Sequence, residues 1–282
     1  MRVIRRVRDM VRMAQTIRRK GGTIGLVPTM GALHEGHCSL IRAAARQAHV
    51  VVVSLFVNPL QFGPREDYAR YPRDLPRDVK LAKAAGADVV FAPPTSEMYP
   101  QGFSTSVQVR GLSDILEGRS RPGHFRGVAT VVLKLLHLVQ PTVAYVGQKD
   151  YQQAILIQRL VKDLAVPTTI RLLPTVRELD GLAMSSRNRY LTPPERRQAT
   201  VLCRALREAA RRIRGGERHA TVLTGAMRRL IADAPLARID YVAVVDAATL
   251  APMSRLSGRV AILAAVWVGR TRLIDNLLVD VS

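Results

Sequence analysis

The chain has 282 residues, 48% of them hydrophobic, and its 43 Lys and Arg against 22 Asp and Glu give a formal net charge of +21. This length allows one large or two modest domains with an ample core. No apolar run approaches the length of a membrane-spanning helix, which excludes a helical membrane protein. The basic N-terminus lacks the apolar segment of a secretory signal and predicts an amphipathic helix over residues 4–20. An Arg-rich organelle presequence is the alternative.

Cysteine content and charge indicate compartment and partner. Only Cys38 and Cys203 occur, which predicts a reducing cytoplasm and no disulfide framework. We interpret Cys38 as a small buried helix residue rather than a thiol nucleophile. The net charge makes a nucleic-acid-binding protein the alternative class. However, aromatic residues are only 5% of the chain, so a stacking platform for single strands is not expected. The clearest basic stripe, typical of a solvated helix face, comprises Arg204, Arg207, Arg211, Arg214 and Arg218.

Residues 23–40, TIGLVPTMGALHEGHCSL, predict a strand, a tight loop and a helix. The apolar run 23–27 is rich in β-formers, and we expect Pro28 to end the strand. His34 and His37 stand at the start of a helix predicted over residues 36–48. Free backbone N–H groups and the helix dipole there favour a polyphosphate and neutral imidazoles. Polar loop residues are one alternative; a zinc site is a weaker one, because no nearby side chains complete a ligand set.

Two overlapping strings in this stretch resemble known sequences. HEGH, residues 34–37, resembles the H-x-G-H signature of the nucleotidyltransferase superfamily that includes class I aminoacyl-tRNA synthetases. The longer PTMGALHEGH, residues 28–37, resembles the pantoate–β-alanine ligases, also called the pantothenate synthetase family. The resemblance implies an ATP-dependent ligase, and it extends over most of residues 20–195.

A second buried strand is predicted over residues 49–57, and it leads into NPLQFG at 58–63. Open parallel sheets bind ligands at the carboxyl ends of their strands. The Gln61 amide offers a donor and an acceptor to a substrate bearing hydroxyl and carboxylate groups, although a plain turn residue is the alternative. The string FVNPLQFGPREDYARYPRD, residues 56–74, also resembles the ligase family. A helix over 75–86, a strand over 88–92 and an outer strand over 104–109 are predicted next.

A basic loop precedes an apolar helix predicted over residues 128–139. Arg121, His124 and Arg126 lie in this loop, where they could meet phosphates or simply be solvated. The string SRPGHFRGVATVV resembles the family and favours a place in the site.

Another polar cluster follows a strand predicted over residues 142–146. Lys149 is a point charge able to neutralise a phosphate, and Asp150 could cap the predicted helix 151–164 or hold a ribose or metal. Plain helix capping is the alternative. The string GQKDYQQ, residues 147–153, resembles the nucleotide and pantoate segment of the family.

A last cluster, Met184-Ser185-Ser186-Arg187, follows a strand predicted over residues 169–173. Two hydroxyls and a guanidinium on one loop suit a leaving pyrophosphate, with an N-capping turn as the alternative. The cluster stands where the superfamily has its second, serine-rich signature, with Arg187 supplying the charge in place of lysine.

Beyond a boundary near residues 177–194 we predict a smaller α+β domain. Two domains are expected, over residues 1–176 and 177–282, and the resemblance implies that the second is a lid. Asp246, Asp275 and Asn276 are polar but receive no role. The second domain is predicted to contain helices 194–214 and 220–233, and strands 239–245, 260–268 and 272–281, the last two as an antiparallel hairpin.

Six apolar strands alternating with helices predict an α/β fold with a Rossmann-like parallel sheet. Four polar clusters at the carboxyl ends of strands indicate a nucleotide enzyme. The resemblance implies condensation of (R)-pantoate with β-alanine, using ATP with Mg²⁺, by a cytoplasmic homodimer without a membrane or specific nucleic-acid partner. Another nucleotidyltransferase of the same fold is the runner-up. The metal ligands are unknown.

The candidate residues follow from these clusters and the resemblance. His34, His37, Lys149 and Arg187 are the catalytic candidates, and Gln61 and Gln153 are the pantoate-binding candidates. The ATP-binding candidates are Met30, Gly31, Ala32, Leu33, His34, Glu35, Gly36, His37, Gly147, Gln148, Lys149, Asp150, Val176, Met184, Ser185, Ser186 and Arg187.

Overall fold

The structure, a computed structural model, describes residues 1–64 and 66–281 and contains two compact units. The first comprises residues 1–147 and 156–174, and the second comprises 148–155 and 175–282. The longer segment of the second unit starts at residue 175, but the unit also includes residues 148–155, which the predicted division left in the first domain. The lid role stays a prediction.

The first unit is built on a parallel sheet with the strand order β1-β4-β3-β2-β5-β6, which confirms the predicted fold class. The chain runs from β2 outward through β3 and β4, then returns to start β5 on the other side of β2. The carboxyl ends of β2 and β5 therefore form the topological switch point, where open α/β sheets bind ligands. The strands are β1 (Arg2–Ile4), β2 (Ile24–Thr29), β3 (Val50–Leu55), β4 (Val89–Phe91), β5 (Val143–Gly147) and β6 (Thr169–Leu173).

The helices of this part of the chain alternate with the strands, as the pattern predicted. Buried side chains of α2 and α3, including Ile41, Ala44 and Ala82, pack with Val27 and Val53 of the sheet. Cys38 lies in this core as a free thiol, which confirms its interpretation as a packing residue. The helices are α1 (Val7–Arg19), α2 (Glu35–Ala45), α3 (Leu75–Ala84), α4 (Thr95–Met98), α5 (Glu117–Ser120), α6 (His124–Val139) and α7 (Tyr151–Asp163).

The sequence predicted the wrong sixth strand. Residues 104–109 form no strand; they are largely exposed, and the Val107 N–H donates to the Thr130 hydroxyl of α6 instead of to a strand (2.9 Å). Arg2–Ile4 fills the sheet edge beside β4, so the first helix begins at Val7 and not at residue 4.

Pro28 does not end its strand, contrary to the prediction. It pairs with Ser54 of β3 inside β2. On the other side, β5 pairs with β2 only at Gly25 and Leu26, so no strand there requires a donor from residue 28. A proline is tolerated where its missing N–H has no ladder partner.

The second unit contains an antiparallel sheet with the order β7-β8-β9, and the predicted hairpin of the last two strands is confirmed. The predicted helix 194–214 is two helices, interrupted at Ala199 and Thr200. Leu206 and Ile213 of the second of these are buried, while Arg204 and Arg214 on the opposite face are exposed. The elements are α8 (Pro193–Gln198), α9 (Val201–Arg214), α10 (Ala220–Ala232), β7 (Ala237–Asp246), β8 (Gly258–Val268) and β9 (Thr271–Val281). Among the described residues, none of the helices has the length and apolar character needed to cross a bilayer.

Candidate active site

The two predicted histidines cap the helix that follows β2. The His34 Nδ1 accepts a hydrogen bond from the Gly36 N–H at 3.2 Å, and the His37 Nδ1 accepts one from the His34 N–H at 3.3 Å. This is a capping box made by imidazoles, and it satisfies amides at the N-terminus of α2 that would otherwise have no helical partner. The ring centroids lie 4.1 Å apart.

The capping bonds determine the protonation of both rings. A backbone N–H can only donate, so each Nδ1 must carry a lone pair, and each neutral ring carries its proton on Nε2. Both rings are thus hydrogen-bond donors through Nε2, next to the positive end of a helix dipole. A pair of such donors at a helix N-terminus is suited to hold phosphate oxygens.

Asp78 of α3 holds the loop between β2 and α2. Its Oδ2 and Oδ1 accept the N–H groups of Ala32 and Leu33, each at 2.8 Å, and the carboxylate is buried. Gly31 and Ala32 both have positive φ (82° and 51°), and a Cβ on Gly31 would lie 2.9 Å from Asp78 Oδ2. Because Asp78 uses the Ala32 and Leu33 amides, these two predicted ATP-binding residues shape the loop rather than offer backbone donors. Asp78 was not among the residues predicted for the site, although a carboxylate on the core-facing side of a helix signals a buried partner.

Gln61 contacts Met30, so the polar segment 58–63 and the loop before His34 lie side by side in the first unit. Gln61 is the last residue of a 3₁₀ turn, Pro59–Gln61, and its side chain is buried. Its Nε2 lies 3.0 Å from the Met30 Sδ, and its Oε1 accepts a hydrogen bond from the Asn58 Nδ2 at 3.1 Å. Asn58 also donates to the Gly127 carbonyl and accepts from the Tyr99 hydroxyl, so the amide of Gln61 is held by an ordered neighbour.

Two of the three basic loop residues, Arg121 and His124, are engaged with other groups of the first unit. The Arg121 guanidinium forms a bidentate pair with Glu66, at 2.8 and 2.6 Å, and His124 is buried at the start of α6. Only Arg126 of this group is exposed. Glu35, predicted to contact ATP, pairs at the surface with Arg42 at 2.7 Å.

In the second unit, the C-terminal strand fixes the Lys149 segment. Gln148–Asp150 forms a 3₁₀ turn, and the Asn276 Nδ2 donates to the carbonyls of Gln148 and Lys149 at 2.8 and 2.9 Å. The Asn276 Oδ1 accepts from the Gln148 Nε2 at 3.1 Å. The Lys149 Nζ lies 3.4 Å from the Asp150 Oδ1, and its side chain is 21% exposed.

Asp275 anchors this arrangement from the neighbouring position of β9. It is buried, it receives a bidentate pair from Arg177 at 2.6 and 2.9 Å, and it accepts the Asn276 N–H at 2.7 Å. Burial raises the pKa of Asp275, while the Arg177 pair acts in the opposite direction. Asp275 and Asn276 were predicted to have no role, but two consecutive polar residues within an apolar strand were the available signal.

The serine-rich cluster forms a capped turn. The Ser185 hydroxyl accepts the Arg187 N–H at 3.3 Å at the start of a 3₁₀ turn, Ser186–Tyr190, so the capping alternative describes its local structure. The Met184 N–H donates to the Val176 carbonyl at 3.0 Å, and this turn packs against β9, as Gln148–Asp150 does. Gln153 in α7 is half-buried, and within the described part of the chain its amide has no hydrogen-bond partner.

A sheet with a switch point, a loop of positive φ and a helix capped by two imidazoles, whose Nε2 atoms are left to donate, define a nucleotide-binding α/β enzyme. Comparison with known proteins identifies which enzymes it resembles. Residues 2–278 match the family model described as pantoate-β-alanine ligase. The chain is 60% identical over 265 residues to the pantothenate synthetase of Moorella thermoacetica, covering 94% of each chain.

Solved structures agree. A pantothenate synthetase from Thermus thermophilus superposes with a TM-score of 0.93 at 48% identity, covering 98% of this chain and 99% of that one. A pantoate-β-alanine ligase from Francisella tularensis, solved with β-γ ATP and β-alanine, gives a TM-score of 0.81 at 37% identity, covering 99% and 97%. The chain belongs to the pantoate–β-alanine ligase family, and it is a ligase that joins pantoate to β-alanine.

Proposed function

We propose that this ligase works through a pantoyl adenylate, with ATP as co-substrate. The carboxylate of (R)-pantoate attacks the α-phosphorus of ATP, which forms the mixed anhydride and releases pyrophosphate. The free amine of β-alanine then attacks the acyl carbon, and AMP leaves as pantothenate forms. A carboxylate is already a nucleophile at neutral pH, so the first step requires no general base. The observation that carries this proposal is the pair of Nε2 donors at the N-terminus of α2, beside the switch point.

His34 and His37 are proposed to bind the phosphates and to stabilise the charge that grows on them in the transition state. Their Nδ1 atoms are engaged in the cap, so the donors are held in place before ATP arrives. His37 also can pass its Nε2 proton to the leaving group.

Lys149 and Arg187 are proposed to neutralise the phosphoryl oxygens and the departing pyrophosphate. The remaining ATP contacts are proposed for Met30 and for the backbone of Gly147 and Val176, around the adenine and ribose. The other ATP-binding candidates from the sequence remain part of this proposal, with Ala32 and Leu33 restricted to shaping the loop.

Gln61 and Gln153 are proposed to bind pantoate. The Gln61 amide is ordered by Asn58 and lies against Met30, and the Gln153 amide has no hydrogen-bond partner among the described residues. Each amide can donate to a carboxylate and accept from a hydroxyl.

Mg²⁺ is proposed to enter as the ATP complex, held by phosphate oxygens and water. Within residues 1–64 and 66–281, no three His, Cys, Asp or Glu side chains cluster in a way that could hold a metal ion. Mg²⁺ commonly keeps several waters and binds through substrate phosphates, so a protein cage is not required.

A homodimer and a cytoplasmic location are expected of this family and are also proposed here. The two cysteines are free and buried, which accords with a reducing compartment. Sedimentation equilibrium at micromolar concentration tests the dimer, and a single species of monomer mass would contradict it.

The first experiment resolves the nucleotide products with ATP and Mg²⁺, adding (R)-pantoate alone and then pantoate with β-alanine. We expect sustained formation of AMP and pyrophosphate only with both acids, and a single stoichiometric burst of pyrophosphate with pantoate alone. Formation of ADP and phosphate would overturn the adenylate route. Transfer of the nucleotide to a product that keeps it would favour the nucleotidyltransferase alternative.

A further inference from the structure

Three side chains outside the proposed substrate contacts form a chain of hydrogen bonds that ends on Gln61. Glu66 binds Arg121, the Arg121 Nη1 lies 3.1 Å from the His124 Nε2, and the His124 Nδ1 lies 2.8 Å from the Gln61 carbonyl oxygen. We propose that Glu66, Arg121 and His124 are positioning residues that orient Gln61 for pantoate. This inference rests on the proposed role of Gln61.

The chemistry of the two end groups determines the direction of the chain. A guanidinium has only donors, and a carbonyl has only acceptors. The imidazole between them must therefore accept at Nε2 and donate from Nδ1, which makes His124 neutral and gives it a single tautomer. Burial, reinforced by the charge of Arg121, lowers the pKa of His124 to about 4, so the ring stays neutral at pH 7.

Glu66 fixes the other end of the chain. The side chains of Arg121 and Glu66 are 13% and 24% exposed, and their two hydrogen bonds have the fork geometry of a specific pair. Burial alone would raise the pKa of Glu66, but the hydrogen bonds from Arg121 lower it below its usual range. Glu117 lies 3.7 Å from the same guanidinium, so the charge of Arg121 is balanced inside the protein.

The turn that carries Gln61 needs such support. Pro59–Gln61 is a three-residue 3₁₀ turn, which is too short to be rigid by itself. It lies directly on α6, because a Cβ on Gly127 would come within 2.2 Å of the Leu60 carbonyl oxygen and 2.5 Å of the Gln61 nitrogen. The Nδ1–H of the His124 ring anchors the carbonyl of Gln61 to that helix, one turn before Gly127.

The first variant is His124→Phe, which keeps a ring but removes the donor and the acceptor. We expect the KM for pantoate to rise about 10- to 100-fold, as for a binding group displaced by about 1 Å, with the KM for ATP changed less than about threefold. The matched control is His124→Asn, whose amide can still donate to the Gln61 carbonyl from near the Nδ1 position. It should restore the KM for pantoate to within about threefold of the parent value.

A double-mutant cycle with Gln61→Ala tests whether His124 acts through Gln61. If it does, His124→Phe costs little once the Gln61 amide is absent, and the two effects on pantoate KM are strongly non-additive. Additive effects, or an equal rise of KM for ATP and pantoate, would show that this chain of hydrogen bonds does not position Gln61. Glu66→Gln gives the same cycle at the far end of the chain and serves if His124→Phe does not fold.

The single variant Gln61→Ala separates this inference from the proposal beneath it. If its KM for pantoate equals that of the parent enzyme, the pantoate role of Gln61 is wrong. If the KM for pantoate rises in Gln61→Ala but is unchanged in His124→Phe and Glu66→Gln, Gln61 keeps its role. Only the positioning role of Glu66, Arg121 and His124 is then wrong.

Discussion

The turn at residues 34–37 and the turn Gln148–Asp150 both carry proposed ATP-binding residues, yet they are held in different ways. In the first, His34 and His37 accept amide hydrogen bonds from within their own four residues. In the second, the carbonyls of Gln148 and Lys149 accept from Asn276, which is more than 120 residues away in the chain. One turn is specified by its own residues, and the other depends on the C-terminal strand.

This difference in support explains how much of the local structure each sequence motif can predict. A self-capping turn forms wherever its strand and helix form, so the string HEGH predicts both the turn and its donors. GQKD predicts the residues of the second turn but not its supports. Asp78 is a distant support for the first turn as well. Its carboxylate accepts the N–H groups of Ala32 and Leu33, just before His34, and it lies 45 residues after Leu33 in the chain.

His37→Ala should lower the rate of pantoyl adenylate formation by about 10²–10³-fold, the usual loss for a removed transition-state donor. Single-turnover release of pyrophosphate measures this rate. His37→Asn keeps an acceptor for the His34 N–H but lacks the Nε2 donor, so it should lose the same rate while retaining the cap. Only the alanine variant should lose stability, about 1 kcal/mol. An unchanged rate in both variants would remove His37 from catalysis.

The contribution of His124 to the free energy of unfolding should fall by about 3 kcal/mol as the pH drops from 6.5 to about 4. In this window the unfolded chain binds a proton at His124 that the folded chain excludes, so acid favours unfolding. Denaturant titrations at several pH values measure the slope. His124→Asn should remove this part of the slope, while the acid sensitivity of the neighbouring Glu66 remains. Parallel curves for both proteins would show that His124 is not buried as a neutral ring.

Asp78→Asn should lower the free energy of unfolding by about 2 kcal/mol, since an amide can accept from only one of the Ala32 and Leu33 N–H groups. Asp74→Asn, one turn earlier and exposed, is the matched control. Asp74 caps α3 by accepting the Arg77 N–H at 3.1 Å, and asparagine caps equally well, so its expected change is near zero. Equal stabilities of the two variants would mean that the loop before His34 holds itself.

Asn276→Leu should lower kcat/KM for ATP about tenfold, which corresponds to about 1.4 kcal/mol for two carbonyls left without their donors. Steady-state kinetics with pantoate and β-alanine saturating measures this. Asp280→Asn on the same strand is the control, because Asp280 is exposed and lies 3.6 Å from Arg259. If kcat/KM for ATP is the same in Asn276→Leu as in the parent enzyme, the Gln148–Asp150 turn is also self-supporting. The contrast between the two turns then disappears.

Patterns of local chemistry in the sequence determined most of the fold. The apolar pattern predicted the strand Thr169–Leu173, and the short connection between the last two strands predicted their antiparallel hairpin. Such patterns failed at Pro28 and at residues 104–109, because the outcome there depended on which neighbours supplied hydrogen-bond partners. Arg2–Ile4 is too short to show a periodicity, so its place at the sheet edge could not be predicted.

Sequence alone was enough to predict the α/β class and the residues of the 34–37 turn, because periodicity and helix caps depend on near neighbours in the chain. Its motif strings were enough to indicate the family. Three contacts are visible only in the tertiary structure: Asp78 accepts a loop amide, the His124 ring donates to the Gln61 carbonyl, and Asn276 donates to the Lys149 carbonyl. The tertiary structure also paired Arg121 with Glu66, where the sequence had left its role open between a phosphate contact and a solvated loop. The physical reason is that a buried polar group is satisfied by whatever group the fold brings to it, and separation along the chain carries no information about that partner.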